Sequence, residues 1–258
     1  MFLDKMPKFT AGRVLKSDML VSLRDYPRDY IAILYSGYSD GVIAGCNIIV
    51  NSDVLVVTPG MVRYKEQFYI LNQNTTVPYT TNGQDTMIKI RFAKEKESED
   101  YVLAQGNIIS ESGYKIGENE LELCRFKLKP GARLRDEYQD FTDFATEYDT
   151  VNRINVPVAA PEQSTLPPFI TRRFAQEAFE GRPVHPFDYT FISQCAQGEP
   201  VSRLLITAYT SARLGIVAKD SSNQDIHRQL EKILEDIRLG KDMATAARRN
   251  GGRKILVD

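Results

Sequence analysis

His185 and His227 are the only histidines among the 258 residues, and neither has a second ligand or a nucleophile at fixed spacing beside it. No H-E-x-x-H string and no His/Cys cluster is present, so the spacing offers no zinc site. His185, between Val184 and Pro186, reads as a structural loop residue, and His227, on the charged flank of a helix, reads as solvated. Cys46, Cys124 and Cys195 are far apart and odd in number, which suits neither a disulfide framework nor a Cys-x-x-Cys site. Nucleotide hydrolysis needs a phosphate cradle of the G-x-x-x-x-G-K-[ST] kind; Gly251-Gly252-Arg253-Lys254 lacks its spacing and its Ser or Thr. No G-x-S-x-G elbow marks a nucleophile. Glu118 with Glu120, or Asp136 with Glu137, has the chemistry of a glycosidase acid and base, but a chain with 34 acids forms such pairs by chance. The reading assigns no catalytic, cofactor-binding or metal-binding residue, and expects no cofactor.

Lys plus Arg (33) nearly cancels Asp plus Glu (34), for a formal net charge of -1, so no global field draws the chain to nucleic acid or an anionic membrane. The basic tail, Arg248, Arg249, Arg253 and Lys254, lacks the aromatic-plus-basic strand that would accompany RNA binding. Absence of Trp weakens a carbohydrate-stacking role. No run reaches the roughly 18–20 apolar residues that span a bilayer, and the start lacks a secretory h-region, so synthesis and folding in the cytosol are expected.

With little chemistry to position, the organisation of the chain becomes the informative signal. The expectation is an α+β protein: an N-terminal antiparallel β-rich domain with a short helical lead (residues 1–131), an aromatic helix and Pro-rich arm (132–168), and a C-terminal helical bundle with a basic tail (169–258). In the lead, Ser17 is the expected cap and Pro27 divides one helix from the next. Gly37 stands where a helix end wants positive φ, and Ser39-Asp40-Gly41 turns the chain. Val42, Ala44, Cys46, Ile48 and Val50 then alternate as a strand, followed by Val54-Leu55-Val56-Val57 and Phe68-Tyr69-Ile70-Leu71. Ile88, Ile90 and Phe92 alternate with Lys89 and Arg91, which predicts a strand with one dry and one solvated face. Leu121 and Leu123 are out of phase with Cys124, Phe126 and Leu128, so a bulge near Cys124 is needed to turn all five inward. The run Glu95 to Asp100 reads as a solvated hairpin loop.

After Pro130-Gly131 a helix is expected, with Tyr138, Phe141, Phe144 and Tyr148 along one stripe. The proline-interrupted segment that follows should lie extended, with few core contacts of its own, either ordered across a partner or serving as an ordinary linker within the chain. The expected protein-interface residues are therefore Tyr138, Phe141, Phe144, Tyr148, Val156, Pro157 and Pro161. Four helices should complete the chain: Phe169 to Glu180; Pro186 to about Gln197; one starting at Pro200 with Val201, Leu204, Leu205, Ala208 and Ala212 inward; and one capped by Ser222 with Asp225, carrying Ile226, Leu230, Ile233 and Ile237 on its core face and a Lys232–Asp236 pair outside.

Phe9-Thr10-Ala11-Gly12-Arg13-Val14-Leu15, the Asp25-Tyr26-Pro27-Arg28 break, Ser39-Asp40-Gly41-Val42-Ile43-Ala44-Gly45-Cys46 and Val57-Thr58-Pro59-Gly60-Met61 closing on Phe68-Tyr69 resemble bacteriophage tail structural proteins. The likeness is to baseplate and tail-fibre proteins of prophages and of phage-tail-like bacteriocins from Gram-positive bacteria. His185-Pro186-Phe187-Asp188, Cys195, Val201-Ser202-Arg203 and Ala212-Arg213-Leu214-Gly215 are similar as well. The chain differs from that pattern in having no Gly in Tyr64-Lys65-Glu66-Gln67 and in lacking a repetitive fibre shaft. The resemblance implies a non-enzymatic tail, baseplate or fibre-attachment subunit. It would be made in the bacterial cytoplasm, built into a tail or tail-like particle, and oligomeric within a symmetric assembly. Its partners would be other tail, baseplate or fibre proteins, without nucleic acid and without membrane insertion. A cytosolic assembly chaperone and a cell-wall glycan hydrolase are the alternatives.

Overall fold

One helix, α1 (Ser17–Leu34), dominates residues 1–38, and none of its residues is buried. The computed structural model, which describes residues 1, 3–52, 54–217 and 220–241, makes this one helix and not two. Pro27 removes one backbone donor, yet its fixed φ suits the helix, so the chain continues through it. The cap position is Lys16, without a side-chain bond, and Ser17 is already helical, which corrects the expected cap. Gly37 takes φ +81 just beyond the helix, as its position requires. The chain divides into two compact units between Tyr38 and Ser39.

From Ser39 onward the architecture is α+β, strands first and helices after. The strands are β1 (Gly41–Gly45), β2 (Ile48–Asn51), β3 (Val54–Val57), β4 (Gly60–Tyr64), β5 (Gln67–Leu71), β6 (Thr75–Pro78), β7 (Asp85–Phe92), β8 (Lys96–Glu97), β9 (Val102–Leu103), β10 (Gly106–Ser112) and β11 (Glu120–Lys127). They pair as β1-β4-β5, β2-β3-β6 and β10-β7-β11, with β8-β9 a separate hairpin, and every pairing between them is antiparallel. The alternation from Val42 to Val50 is split between two sheets: Gly45 at φ +66 and Cys46 at φ +52 turn the chain between β1 and β2. β4 and β5 are joined by Lys65 and Glu66, both at positive φ, so the tight turn forms without glycine. The Lys65 amide donates to Asp40 Oδ1 at 2.9 Å, which helps to hold it.

β7 lies between β10 and β11, and its register with β11 shifts between Glu122 and Cys124. That bulge turns Leu121, Leu123, Cys124, Phe126 and Leu128 all inward, as their phase requires. The expected solvated face of β7 is corrected at Lys89, which is buried. Its ammonium pairs with Glu111 and, at 2.6 Å, with Glu120, and also donates to the Lys115 carbonyl at 3.1 Å. A charge so well partnered can sit under neighbouring chain where an unpaired one could not. The run from Glu95 forms the exposed β8-β9 hairpin.

The Pro-rich arm does not hang free. Val42 donates to the Pro157 carbonyl at 2.8 Å, Ala159 to Val42 at 2.9 Å and Ser39 to Ala160 at 2.9 Å, while Val158 and Thr165 exchange two bonds. The arm thus lies along β1 as an added, parallel partner. Gly41 makes the approach feasible, because a Cβ there would stand 2.6 Å from the Pro157 carbonyl oxygen. Val156 enters the core of the β half, and Ile154 and Leu166 enter that of the helices. The expectation of an arm with few core contacts is therefore corrected. Prolines cost it ladder bonds only where their own nitrogens lie, and the residues between them still pair and bury.

The helices are α2 (Pro168–Glu180), α3 (Pro186–Ala196), α4 (Arg203–Leu214) and α5 (Asn223–Arg238). Pro167 and Pro168 occupy the start of α2, where a missing amide is free of cost. Ser222 and Asp225 form the full reciprocal capping box of α5, and Ile226, Leu230, Ile233 and Ile237 are buried as their spacing demands. Asp236 pairs with Lys241 at 2.7 Å, in place of Lys232. α4 begins after Ser202, whose hydroxyl accepts from Leu205, and not at Pro200. Its buried face is Ile206, Tyr209, Thr210 and Arg213, whereas Leu204 is exposed. The helix is rotated because Tyr209 stacks on Phe191 at 3.9 Å and Arg213 reaches buried Asp188. The basic tail lies outside the described residues.

Candidate protein–protein interface

The thiols, the histidines and Glu120 are each engaged in the fold. Burial pushes the thiols of Cys46, Cys124 and Cys195 up to about 11, 12 and 12, so all three are protonated and weakly nucleophilic near neutrality. His185 is the N-cap of α3, its Nδ1 accepting from the Phe187 amide at 3.1 Å, in keeping with its structural reading. Burial pushes the Glu120 carboxyl up, but Lys89, the Gly117 amide and Arg91 outweigh it and hold it at about 2. It is an anchor for cations, not a proton donor, and Glu118 beside it is exposed. Asp136 accepts from the Val50 amide at 2.9 Å and lines, with Glu137 and Tyr138, an open groove of about 340 Å³. Among the described residues no three His, Cys, Asp or Glu side chains converge as a metal site requires.

His227 corrects the sequence reading most sharply: it is fully buried, not solvated. Its ring stacks on Phe141 at 4.4 Å, and Nε2 donates to the Phe141 carbonyl at 3.0 Å. Burial lowers its pKa from 6.5 to about 4, against the opposing pull of that carbonyl. The folded state therefore holds His227 neutral while the unfolded chain binds a proton. Its contribution is complete above about pH 6.5 and is lost as pH falls through about 4. The difference between 6.5 and about 4 amounts to about 3 kcal/mol. Urea titrations between pH 7 and pH 4 should show a fall of that order, and His227→Phe, which cannot be charged, should flatten it. An equal pH slope in the variant would assign the acid sensitivity to other groups.

The aromatic stripe is not a helix. Among residues 132–148 the helical part is a single 3-10 turn, Thr142–Ala145. Asp143 supplies the reason: its carboxylate accepts from Arg135, Thr146 and the Gln139 amide, while Asp140 accepts from the Asp143 amide. Such local bonds satisfy the backbone outside a helix. The Arg135 pair, with Thr146 and the Gln139 amide, holds the Asp143 carboxyl well below the usual range in spite of burial. Phe141 and Phe144 are buried in the core of the helical half, and the Phe141 amide donates to Glu177 at 2.8 Å. Val156 is buried too; Tyr138, Tyr148 and Pro157 are half-buried, and Pro161 is exposed. Of the seven residues expected at an interface, Phe141, Phe144 and Val156 thus present no surface to a partner.

The apolar surface lies instead on α1. Leu20, Leu23, Tyr26, Tyr30, Ile33 and Leu34 are all exposed, from 49% to 73%. In 3.6-residue geometry these side chains, with Met19, Pro27 and Ile31, share an arc of about 160°, and Arg24, Arg28, Asp18, Asp25 and Asp29 occupy the rest. The sequence places Met19, Leu20 and Leu23 on one face, but a helix that stops at Pro27 hides the length of the stripe. A second exposed apolar group, Tyr101, Val102 and Leu103, is on the β8-β9 hairpin. No helix among the described residues is long and apolar enough to cross a membrane.

No known protein family matches this sequence, and no curated protein is similar to it. Among solved structures, one described as the crystal structure of TssK aligns over 92% of this chain and 69% of its own length, with a TM-score of 0.40 and 8% identity. At that level the likeness marks neither a shared fold nor a shared function.

Proposed function

We propose that this chain is a structural subunit of a phage tail or tail-like particle, at the baseplate or the fibre attachment, and that it works through protein contacts. The observation that carries this reading is α1, 18 residues long with a continuous apolar face and no buried residue. An exposed patch of this extent marks an interaction surface. Committed thiols, carboxylates and histidines favour contact over turnover, and the turn and strand motifs that resemble tail proteins supply the class.

Mass spectrometry of purified particles tests it. The chain should be a stoichiometric component, and Leu23→Lys with Ile33→Lys should abolish incorporation while leaving the fold after Ser39 intact. Presence on tail proteins in the cytosol but absence from finished particles would make the chain an assembly chaperone. Release of sugars from cell-wall polysaccharide would replace the reading with a glycan hydrolase.

A further inference from the structure

β2 is the outer strand of its sheet, with β3 on one side and no strand on the other among the described residues. Its Val50 amide points away from β3 and donates to Asp136 Oδ2 at 2.9 Å. The Val50 carbonyl faces the same way, as both backbone groups of one residue do in an antiparallel strand. On that side lies the open groove of about 340 Å³, bounded by Val50 on the strand and by Leu134, Asp136, Glu137 and Tyr138 on the loop.

The lining selects an occupant. An open strand edge offers backbone hydrogen-bonding groups, which an extended peptide can use and a helix, whose own groups are bonded internally, cannot. Charge sets the sign of that peptide. Asp136 and Glu137 form no ion pair with a described Lys or Arg, while Arg135 between them and Leu134 is held by both oxygens of Asp143, each at 2.6 Å. An acidic segment would therefore meet two uncompensated carboxylates, and a basic one would neutralise them. Val50, Leu134 and Tyr138 supply apolar contact for the side chains that alternate with the basic ones. The same fold already takes an extended segment along a strand in this manner, since β1 receives the residues from Pro157 to Ala160.

We propose that the groove beside β2 receives an extended segment of another protein, paired with the strand edge at Val50 and carrying Lys or Arg toward Asp136 and Glu137. A backbone carbonyl of the segment takes the Val50 amide, which frees the Asp136 carboxylate for the incoming cation. The site uses no residue of α1 and does not depend on the particle reading.

Fluorescence anisotropy of labelled peptides with the full-length chain is the test. Acetyl-Thr-Val-Lys-Val-Lys-Val-amide should bind at low salt, about tenfold more tightly than its counterpart with Glu in place of both Lys. Asp136→Asn with Glu137→Gln, which keeps an acceptor beside the Val50 amide, should abolish that difference. Glu99→Gln, at an exposed acid in the β8-β9 turn, should change neither affinity. The Lys peptide methylated at each backbone amide keeps its charge but cannot form a ladder, and it should lose binding; if it binds as tightly as its parent, strand addition is overturned. Equal affinity for the Lys and Glu peptides, a preference unmoved by the Asp136 and Glu137 variant, or no binding of either at millimolar concentration overturns the proposal. Self-association of the chain that the same variant dissolves would make the occupant a second copy and overturn it as well. Each of these failures leaves the structural-subunit reading, which rests on α1, to its own test in purified particles.

Discussion

Phe141→Ala is expected to be among the most damaging single substitutions in the molecule, at about 3–5 kcal/mol. The ring is fully buried, meets Phe174 edge-on at 5.7 Å and Phe144 at 6.2 Å, and is stacked on His227. Deleting it leaves a void among α2, α5 and the loop, and it strips the cover from a buried imidazole whose Nδ1 has no partner. Denaturant unfolding of the isolated protein gives the cost. A cooperative transition displaced by that amount, or no folded protein at all, fits a core residue. A variant that folds as well as the wild type but fails to assemble would return Phe141 to the interface role that its sequence spacing suggests. Phe144→Ala, a 4% exposed neighbour in the same cluster, should follow the same course.

Asp188→Ala carries the second large effect, because it isolates a buried cation. Asp188 and Arg213 are 1% and 4% exposed, and Asp188 Oδ1 stands 3.1 Å from Arg213 Nε while also accepting from the Tyr209 hydroxyl at 2.9 Å. Arg213 Nη2 and Asp188 Oδ2 have no hydrogen-bond partner, so the pair depends on mutual attraction in an apolar setting. Removing one member of such a pair costs about 3–5 kcal/mol, whereas replacing both with apolar groups of similar size is often neutral. Asp188→Leu combined with Arg213→Met should therefore recover most of the stability that Asp188→Ala loses. If the double variant were as unstable as the single one, the pair would be contributing something specific beyond charge balance, such as the placement of Tyr209.

The contrast between these two sites and the elements legible in the sequence shows where local information ends. Ile226, Leu230, Ile233 and Ile237 with the Ser222 cap define α5 without help, since spacing and cap both lie within one stretch of chain. The bulge at Cys124 follows from the phase of five apolar residues, and the α+β order follows from the change of period along the chain. For α4 the count of apolar residues points to Leu204, Ala208 and Ala212, and the fold chooses Tyr209 and Arg213, because their partners Phe191 and Asp188 are on α3. His227 reads as solvated beside charged neighbours on its own helix; a loop 86 residues earlier covers it. Phe141 and Phe144 read as an interface stripe for the same reason.

By itself, then, the sequence determined the order of strands before helices, the helices α2, α3 and α5, the strand β7 with the bulge facing it, and the absence of a recognisable catalytic motif. These depend on periodicity, caps and turns whose causes act over a few residues. Only the tertiary structure decided which apolar groups are covered. It buried the arm and the aromatic loop, and it paired Lys89 and Arg213 with remote carboxylates. Burial is a property of what packs over a side chain, and that neighbour is set by contacts between segments far apart in the chain.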